Sequence, residues 1–157
     1  MKAKEKNADM VLIAGDMFHE NKPSRRTLHS TFDIIQRHTL GEEDVYMEIM
    51  NEQTGVFKAG HGTVNFQNPY QAISLPIFAI HGNHDDPSRD GGAESLAALD
   101  LLSVSNYVNY FGKADAVDEI VVHPILIRKL TTTGSPPHVH PSFAFLYYSF
   151  HHTKSLF

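Results

Sequence analysis

Two short apolar runs, each followed by glycine and then by polar side chains, constrain this chain more than any other feature. Met10–Ala14 is followed by Gly15 and Asp16, and Leu75–Ile80 is followed by the residues HGNHD at 81–85. Continuous apolar runs of this length are typical of parallel strands that are buried on both faces. Because the carboxyl ends of neighbouring parallel strands meet at one edge of a sheet, we expect both polar groups at that edge.

Helical patterns separate these runs. Ser24 is a suitable N-cap for a helix in which Leu28, Phe32 and Ile35 share one face, and Gly41 is a natural stop. A second helix is expected over about residues 93–102, with leucines at three-residue spacing on one side. Further short strands are expected at Val45–Met50, Val108–Phe111, Ile120–Val122 and Ile125–Ile127. The β–α–β–α–β order predicts an α/β fold.

Composition excludes several classes of protein. The chain has 157 residues, a formal net charge of −5 and no cysteine. The charge argues against nucleic-acid binding by overall charge alone, and the lack of cysteine excludes a disulfide scaffold, cysteine-based zinc sites and thiol catalysis. No apolar run approaches the roughly 20 residues that span a bilayer, so we expect no membrane association, and no signal peptide is legible.

The composition also divides the chain near residue 130. Residues 131–157 are rich in Phe, His and Pro and contain one charged side chain, Lys154. This tail is either a linker with an aromatic strand near Phe143–Tyr148 or sequence unrelated to the rest, and we favour the second. We therefore expect a domain over 1–129 and an unrelated, disordered or aberrant tail over 130–157.

The side chains at the two strand ends suit a divalent cation. A carboxylate from Asp16, an amide oxygen from Asn83 and imidazoles from His19 and His84 are hard or intermediate ligands that fit an ion such as Mn²⁺. Two such ions ~3.5–4 Å apart commonly hydrolyse phosphate esters. Alone, Gly-Asp and Gly-Asn are ordinary turn sequences, and His19 and His81 could each be structural histidines, an interpretation that we favour for His81. The ordered combination favours the metal site.

Two longer strings carry a family resemblance. GDMFHENKPS (15–24) and FAIHGNHDDP (78–87) resemble motifs of the calcineurin-like metallophosphoesterase superfamily, and within it the DNA double-strand-break repair nucleases of the MRN complex, which are SbcD-like. The strings VNFQNP (64–69), LAALDLL (96–102) and VNYFGK (108–113) fit the eukaryotic branch. The resemblance covers about residues 8–129. It implies part of a calcineurin-like fold, which is a β-sandwich flanked by helices.

The resemblance also implies roles for individual residues. Asp16 matches the aspartate that bridges two Mn²⁺ ions, and Asn83 matches a ligand of one ion. His84 matches the histidine that steadies the scissile phosphate and assists the leaving group, with Asp85 orienting its ring. His19 resembles a second histidine that contacts phosphate. Such a set fits a two-metal hydrolysis in which an imidazole donates a proton or hydrogen bond.

Other implied features concern DNA and partners. Lys22, Arg25 and Arg26 form a local basic cluster that either contacts the DNA backbone or is a solvated helix start. The insertion at about 42–75 resembles a eukaryotic loop that helps form a homodimer and meets a nibrin-type subunit; it is otherwise a surface loop. The family also implies an SMC-like coiled-coil ATPase subunit as partner, DNA as substrate and a nuclear location.

The chain departs from the family at both ends. The family's first strand carries Asp-x-His, yet residues 1–15 contain no histidine. A later histidine and a Gly-His-x-His unit are expected beyond residue 129 and are absent. The histidines at 138 and 140 follow two prolines, and Gly60-His61-Gly62 lies in a loop. We therefore expect a fragment that lacks the first strand and the C-terminal ligand strands, and that is poorly active alone because only two metal ligands remain.

Three functional hypotheses follow from these residues. The first is a Mn²⁺-dependent DNA nuclease that hydrolyses phosphodiesters in double-strand-break repair. The second is a catalytically inactive interaction or dimerisation module of the same family. The third is a generic metallophosphatase, which the string at 18–24 disfavours.

Overall fold

A computed structural model describes residues 2–57, 62–86, 96–113 and 124–130, together with the backbone of 142–146. The elements in chain order are helix α1 (Lys2–Glu5), strand β1 (Val11–Ala14), helix α2 (Arg25–Thr39), strand β2 (Met47–Ile49), a 3₁₀ turn (Asn65–Gln67), strand β3 (Ile77–Ile80), helix α3 (Ala98–Val104) and strands β4 (Asn109–Tyr110), β5 (Ile125–Lys129) and β6 (Ser142–Leu146). Among the described residues, no helix has the length and apolar character needed to cross a bilayer.

The first sheet is parallel and contains both apolar runs that precede the glycines. Its strand order is β1-β3-β4, with Leu12 opposite Phe78 in the register of β1 and β3. Strands β1 and β3 run in the same direction and end at Ala14 and Ile80, so the polar segments that follow them start at the same edge. The predicted mixed α/β architecture is confirmed.

The second sheet is antiparallel, with the order β2-β5-β6. Strand β2 lies in the predicted insertion, and the Arg128 side chain on β5 forms an ion pair with Glu48 on β2. Strand β6 lies within the stretch expected to be an unrelated tail, and it pairs with β5 along its whole length. The remainder of that stretch, from 131 onward, lies outside the described residues, so the domain boundary at 129/130 stays a prediction.

Two apolar cores hold the layers together. One core combines residues of the parallel sheet with α2 and α3, and includes Ile77, Ile35 and Leu99. The other combines Phe78 of the parallel sheet with β2 and β5, and includes Ile125. The parallel sheet therefore lies between the helices on one side and the antiparallel sheet on the other. Burial of such side chains contributes roughly 1.5–3 kcal/mol each.

Helix α2 forms as its sequence predicts. The Ser24 hydroxyl accepts a hydrogen bond from the Thr27 amide at 3.1 Å, which satisfies one of the free donors of the first turn. Leu28 and Phe32 pack against the core that contains the buried Ile35. The Ser24 cap lies eight residues after Asp16 and fixes where α2 starts, and so it fixes the length of the first polar loop.

Two details of the predicted elements are wrong. Leu12 was expected in a strand buried on both faces, yet it is 50% exposed, because β1 has β3 as its only strand neighbour among the described residues. The second helix begins at Ala98 rather than near 93, so Leu96 precedes it and is exposed. The expected strand at 120–122 lies outside the described residues.

The insertion is anchored rather than loose over its described part. Val64 is fully buried in the core between the sheets. Next to it, Asn65 and Asn109 exchange two hydrogen bonds, and Asn109 also donates to the carbonyl of Ile77. Asn65 further reaches the carbonyl of Asn106. Buried amides are stable only when they are paired in this way, so this network fastens the insertion to the edge of the parallel sheet.

Candidate functional site

The two loops that follow β1 and β3 touch each other through their glycines. A Cβ atom added to Gly15 would lie 2.9 Å from the Cα of Gly82, and one added to Gly82 would lie 2.1 Å from an oxygen of Asp16. Gly15 also has φ +106°, a conformation that other residues rarely adopt. Only glycine at these two positions lets the loops approach so closely. As expected, the structure brings Asp16 and the 82–85 segment to one edge of the sheet.

Backbone amides and carboxylates link the loops in both directions. The His84 amide donates to Oδ1 of Asp16 at 3.0 Å, and the Phe18 amide donates to Oδ2 of Asp85 at 3.3 Å. The Gly82 amide donates to the other oxygen of Asp85 at 2.6 Å. Asp85 is fully buried, whereas Asp16 is exposed. We call this contact between the loops after β1 and β3 the joint. The Asp85 carboxylate lies inside the joint, and the Asp16 carboxylate lies at its surface.

Two imidazole rings are stacked on each other at this joint. The rings of His19 and His84 are stacked, with 5.0 Å between their centroids and 22° between their planes. His19 is exposed and His84 is half-buried. Two neighbouring imidazoles at a solvent-facing edge are able to donate hydrogen bonds to an anionic group from two positions, which is the chemistry that a bound phosphate requires.

A third histidine in this region has a structural environment. His81 is buried, and its Nδ1 lies 2.8 Å from the hydroxyl of Tyr110 on β4. Burial lowers the pKa of His81, although the nearby carboxylates of Asp86, Asp85 and Asp100 act in the opposite direction. Burial likewise raises the pKa of the Tyr110 phenol well above its usual range. The interpretation of His81 as a structural histidine agrees with this burial and with its bond to Tyr110.

The basic cluster lies at the start of α2. Lys22, Arg25 and Arg26 are all exposed, and the two arginines occupy the first turn of the helix that Ser24 caps. They follow His19 by three to seven residues along the chain, and exposed cations of this kind are able to contact an extended anion. The same exposure is typical of a solvated helix start, so the contact with DNA stays a prediction.

The described residues supply only part of a divalent-metal site. Asp16 and Asn83 are exposed at the joint, and they offer a carboxylate and an amide oxygen. Among the residues that the structure describes, no three or more His, Cys, Asp or Glu side chains come together as a metal-binding group. Mn²⁺ prefers about six ligands in octahedral geometry, so these two donors do not complete a site.

Sequence reasoning missed two contributions to this site. The glycines were predicted to turn the chain, but their contact with each other was not, since the register of β1 on β3 decides which residues meet. Tyr110 was assigned only to a strand, and its bond to His81 depends on the parallel pairing of β3 with β4. A single sequence contains no signal for either contact.

A profile described as calcineurin-like phosphoesterase matches residues 2–150, which is nearly the whole chain. The chain belongs to this family. The joint at the carboxyl ends of β1 and β3 is formed by the strings in which the family resemblance was found.

Within the family, the chain is similar to double-strand break repair proteins. It is 45% identical to double-strand break repair protein MRE11 of Arabidopsis thaliana over 135 residues, and 43% identical to the protein of that name from Homo sapiens over 131 residues. It is 42% identical over 127 residues to double-strand break repair protein mus-23 of Neurospora crassa. These alignments cover 81–83% of this chain but only 17–18% of each relative. The chain therefore spans less than a fifth of the length of these relatives.

Proposed function

We propose that this chain carries the central part of a Mn²⁺-dependent nuclease that hydrolyses DNA phosphodiesters in double-strand-break repair. The observation that carries the proposal is the joint at the sheet edge, where Asp16 is hydrogen-bonded to the His84 amide and the rings of His84 and His19 are stacked. The family assignment and the names of the relatives support the reaction class and the process.

The residues of the chain have distinct roles in this proposal. Asp16 and Asn83 would hold divalent metal through their side-chain oxygens, and bound metal would supply an activated water and neutralise phosphate charge. His84 hydrogen-bonds the scissile phosphate and donates a proton to the leaving oxygen, and His19 hydrogen-bonds the same phosphate from the neighbouring ring position. Since the described residues provide two donors, further ligands must complete the site before the ions bind tightly.

DNA is the proposed substrate, and the basic start of α2 contributes to its binding. Lys22, Arg25 and Arg26 are exposed beside the site and would contact backbone phosphates, which position a duplex without reading its sequence. The overall charge of −5 does not oppose this, because contacts of this kind depend on local rather than net charge.

The proposal extends to the assembly that the family resemblance implies. We propose that the complete protein acts in the nucleus as a homodimer, together with an SMC-like coiled-coil ATPase subunit and a nibrin-type subunit. The anchored insertion that contains β2 and Val64 is the proposed contact region for the dimer and the nibrin-type partner. Its exposed Tyr70 is 89% accessible and offers an aromatic contact to such a partner.

The test is a histidine substitution in a protein of full length. His84→Ala in the full-length protein that contains this segment is expected to lower DNA cleavage by roughly two to four orders of magnitude, the usual contribution of a general acid. DNA binding, measured by fluorescence anisotropy in Mn²⁺ buffer, is expected to stay within about twofold of wild type, because phosphate contacts by the basic cluster persist. Loss of DNA binding in this variant would contradict the role given to His84.

A catalytically inactive interaction module is the second candidate. The incomplete set of metal donors among the described residues favours it. The two candidates are distinguished by measuring Mn²⁺ binding and binding to a nibrin-type subunit on the full-length protein that contains this segment. Tight Mn²⁺ binding supports the nuclease, whereas weak Mn²⁺ binding with retained binding to the subunit supports the module.

A further inference from the structure

We propose that Asp85 is a positioning residue that holds the two strand-end loops in register. Together with the opposite bond to Asp16 it forms a reciprocal clasp, defined here as the three hydrogen bonds that Asp16 and Asp85 accept from the amides of His84, Phe18 and Gly82. The inference rests on the proposed function in one respect, namely that the clasped loops carry the metal donors Asp16 and Asn83.

Asp85 is completely buried between the two loops. Its side chain has no exposed surface, and a carboxylate in such a place is stable only if its oxygens accept hydrogen bonds. One oxygen accepts from Gly82 within its own loop, and the other accepts from Phe18 in the loop after β1. The Asp85 carboxylate therefore links the two loops and does not face the solvent.

The arrangement is symmetric. Each loop provides a carboxylate and an amide to the other, and the bonded partners are 67 and 68 residues apart in the chain. The two cross-loop bonds accompany the contact between Gly15 and Gly82, where no Cβ atom fits. A shift of one loop by a single residue would break both bonds, so the clasp permits one register only.

The clasp is connected with the metal donors. Asp16 is itself part of the clasp, and Asn83 lies between two of its members, Gly82 and His84. A ligand set must be held to within about 0.5 Å to bind its ion well, so a bond that fixes the separation of these loops also fixes the separation of the donors. The family resemblance implies a different role, in which Asp85 orients the His84 ring. That role does not require Asp85 to accept hydrogen bonds from the backbone amides of Phe18 and Gly82.

Hydrogen exchange measured by NMR on the whole 157-residue chain, without metal, tests the clasp. Asp85→Asn replaces one of the two acceptor oxygens by an amino group, so exchange of whichever amide faces that group, Phe18 or Gly82, is expected to accelerate ~tenfold or more. Asp16→Ala is expected to accelerate exchange of the His84 amide similarly. His84→Ala is expected to leave the Phe18 and Gly82 amides unchanged, and acceleration there would overturn the proposal.

A second readout separates positioning from general stabilisation. Asp100 is the matched control, because its carboxylate also accepts a backbone amide, from Ala97 at 2.8 Å, and pairs with Lys113 at 3.0 Å. In a full-length protein that contains this segment, Asp85→Asn is expected to raise the Kd for Mn²⁺, measured by calorimetry, ~tenfold more than Asp100→Asn does. Equal effects of the two variants would mean that Asp85 only stabilises the fold, which overturns the proposal.

The design distinguishes failure of this inference from failure of the proposed function. If the full-length wild-type protein binds no Mn²⁺, the proposed metal-dependent function fails, and the amide measurements on the 157-residue chain still decide whether the clasp exists. If Asp85→Asn does not fold, the wild-type chain gives the answer. A Phe18 amide that exchanges at the rate of a free peptide in folded wild type overturns the clasp, whereas strong protection supports it.

Discussion

Gly15 and Gly82 lie where the loops after β1 and β3 touch. Because neither residue has a side chain, the two loops can approach each other this closely. The turn-forming role of both glycines could be predicted from the sequence, because each follows an apolar run. Their mutual contact could not, because it depends on how β1 and β3 are aligned. The same holds for Asp85, whose neighbours Phe18 and Gly82 become visible only when the loops are placed.

Replacing Gly15 tests this close approach. Gly15→Ala places a methyl group 2.9 Å from the Cα of Gly82 and also forces alanine into a positive φ, so we expect a loss in the free energy of unfolding. The backbone conformation contributes about 1–3 kcal/mol, and the overlap adds roughly 1–3 kcal/mol. Urea denaturation followed by circular dichroism measures the sum.

Gly55 is the matched control for this substitution. It has a positive φ of +88°, and no atom lies within 4 Å of an added Cβ. Gly55→Ala is therefore expected to show the conformational cost without the overlap. Equal losses for the two variants would contradict the proposed contact between the loops.

At the scale of elements, patterns in the sequence predicted the strands and helix α2 but not what covers them. The leucine and phenylalanine spacing of α2 and its Ser24 cap are local properties, and they were correct. The exposure of Leu12 was missed, because an apolar run does not show how many strands lie beside it. The network of Asn65 and Asn109 was missed as well, since asparagine in a loop predicts a turn rather than a buried pair.

His81 directly follows β3 and is bonded to Tyr110 on β4. Its burial makes the free energy of unfolding depend on pH. Because burial lowers the pKa of His81 in the folded chain, the unfolded chain binds more protons at mildly acidic pH. This contribution is complete above the ordinary histidine pKa of about 6.5 and is lost as the pH falls toward the lowered folded value. Urea midpoints of the metal-free chain at pH 7.5 and 5.5 measure the loss.

His81→Gln is the variant for this measurement, because glutamine keeps a polar group near Tyr110 without titrating. Its urea midpoint is expected to fall less between the two pH values than that of wild type. The charged groups near the ring, which are Asp85, Asp86, Asp100 and Lys113, remain in both proteins. His29→Gln, on the exposed face of α2, controls for removal of a histidine. An unchanged fall in His81→Gln would refute the prediction.

At the scale of the whole molecule, the parallel sheet is narrow. Among the described residues, β1 pairs only with β3, and Leu12 exposes half of its surface beside the free strand edge. Strand edges that combine unpaired backbone with apolar side chains associate with other chains. The expectation that the chain is poorly active alone stays a prediction.

Leu12→Lys tests the edge. A lysine at this position places a charge on the strand edge and is expected to lower the rate of aggregation several-fold during refolding, as measured by light scattering. Leu101→Lys removes a leucine of similar exposure, 42%, from helix α3 and serves as the control. If both variants aggregate at the same rate, general surface apolarity rather than the strand edge is responsible.

The reciprocal clasp has a consequence for the order of folding. Its cross-loop bonds close segments of 67 and 68 residues, and β1 pairs with β3 over a similar separation. The entropy lost in closing such a segment must be offset before any of these bonds form, which makes their formation slow compared with that of helix α2. We therefore expect the parallel sheet and the site to form together in a late step of folding. A chain in which β1 and β3 are unpaired would contain no part of the site.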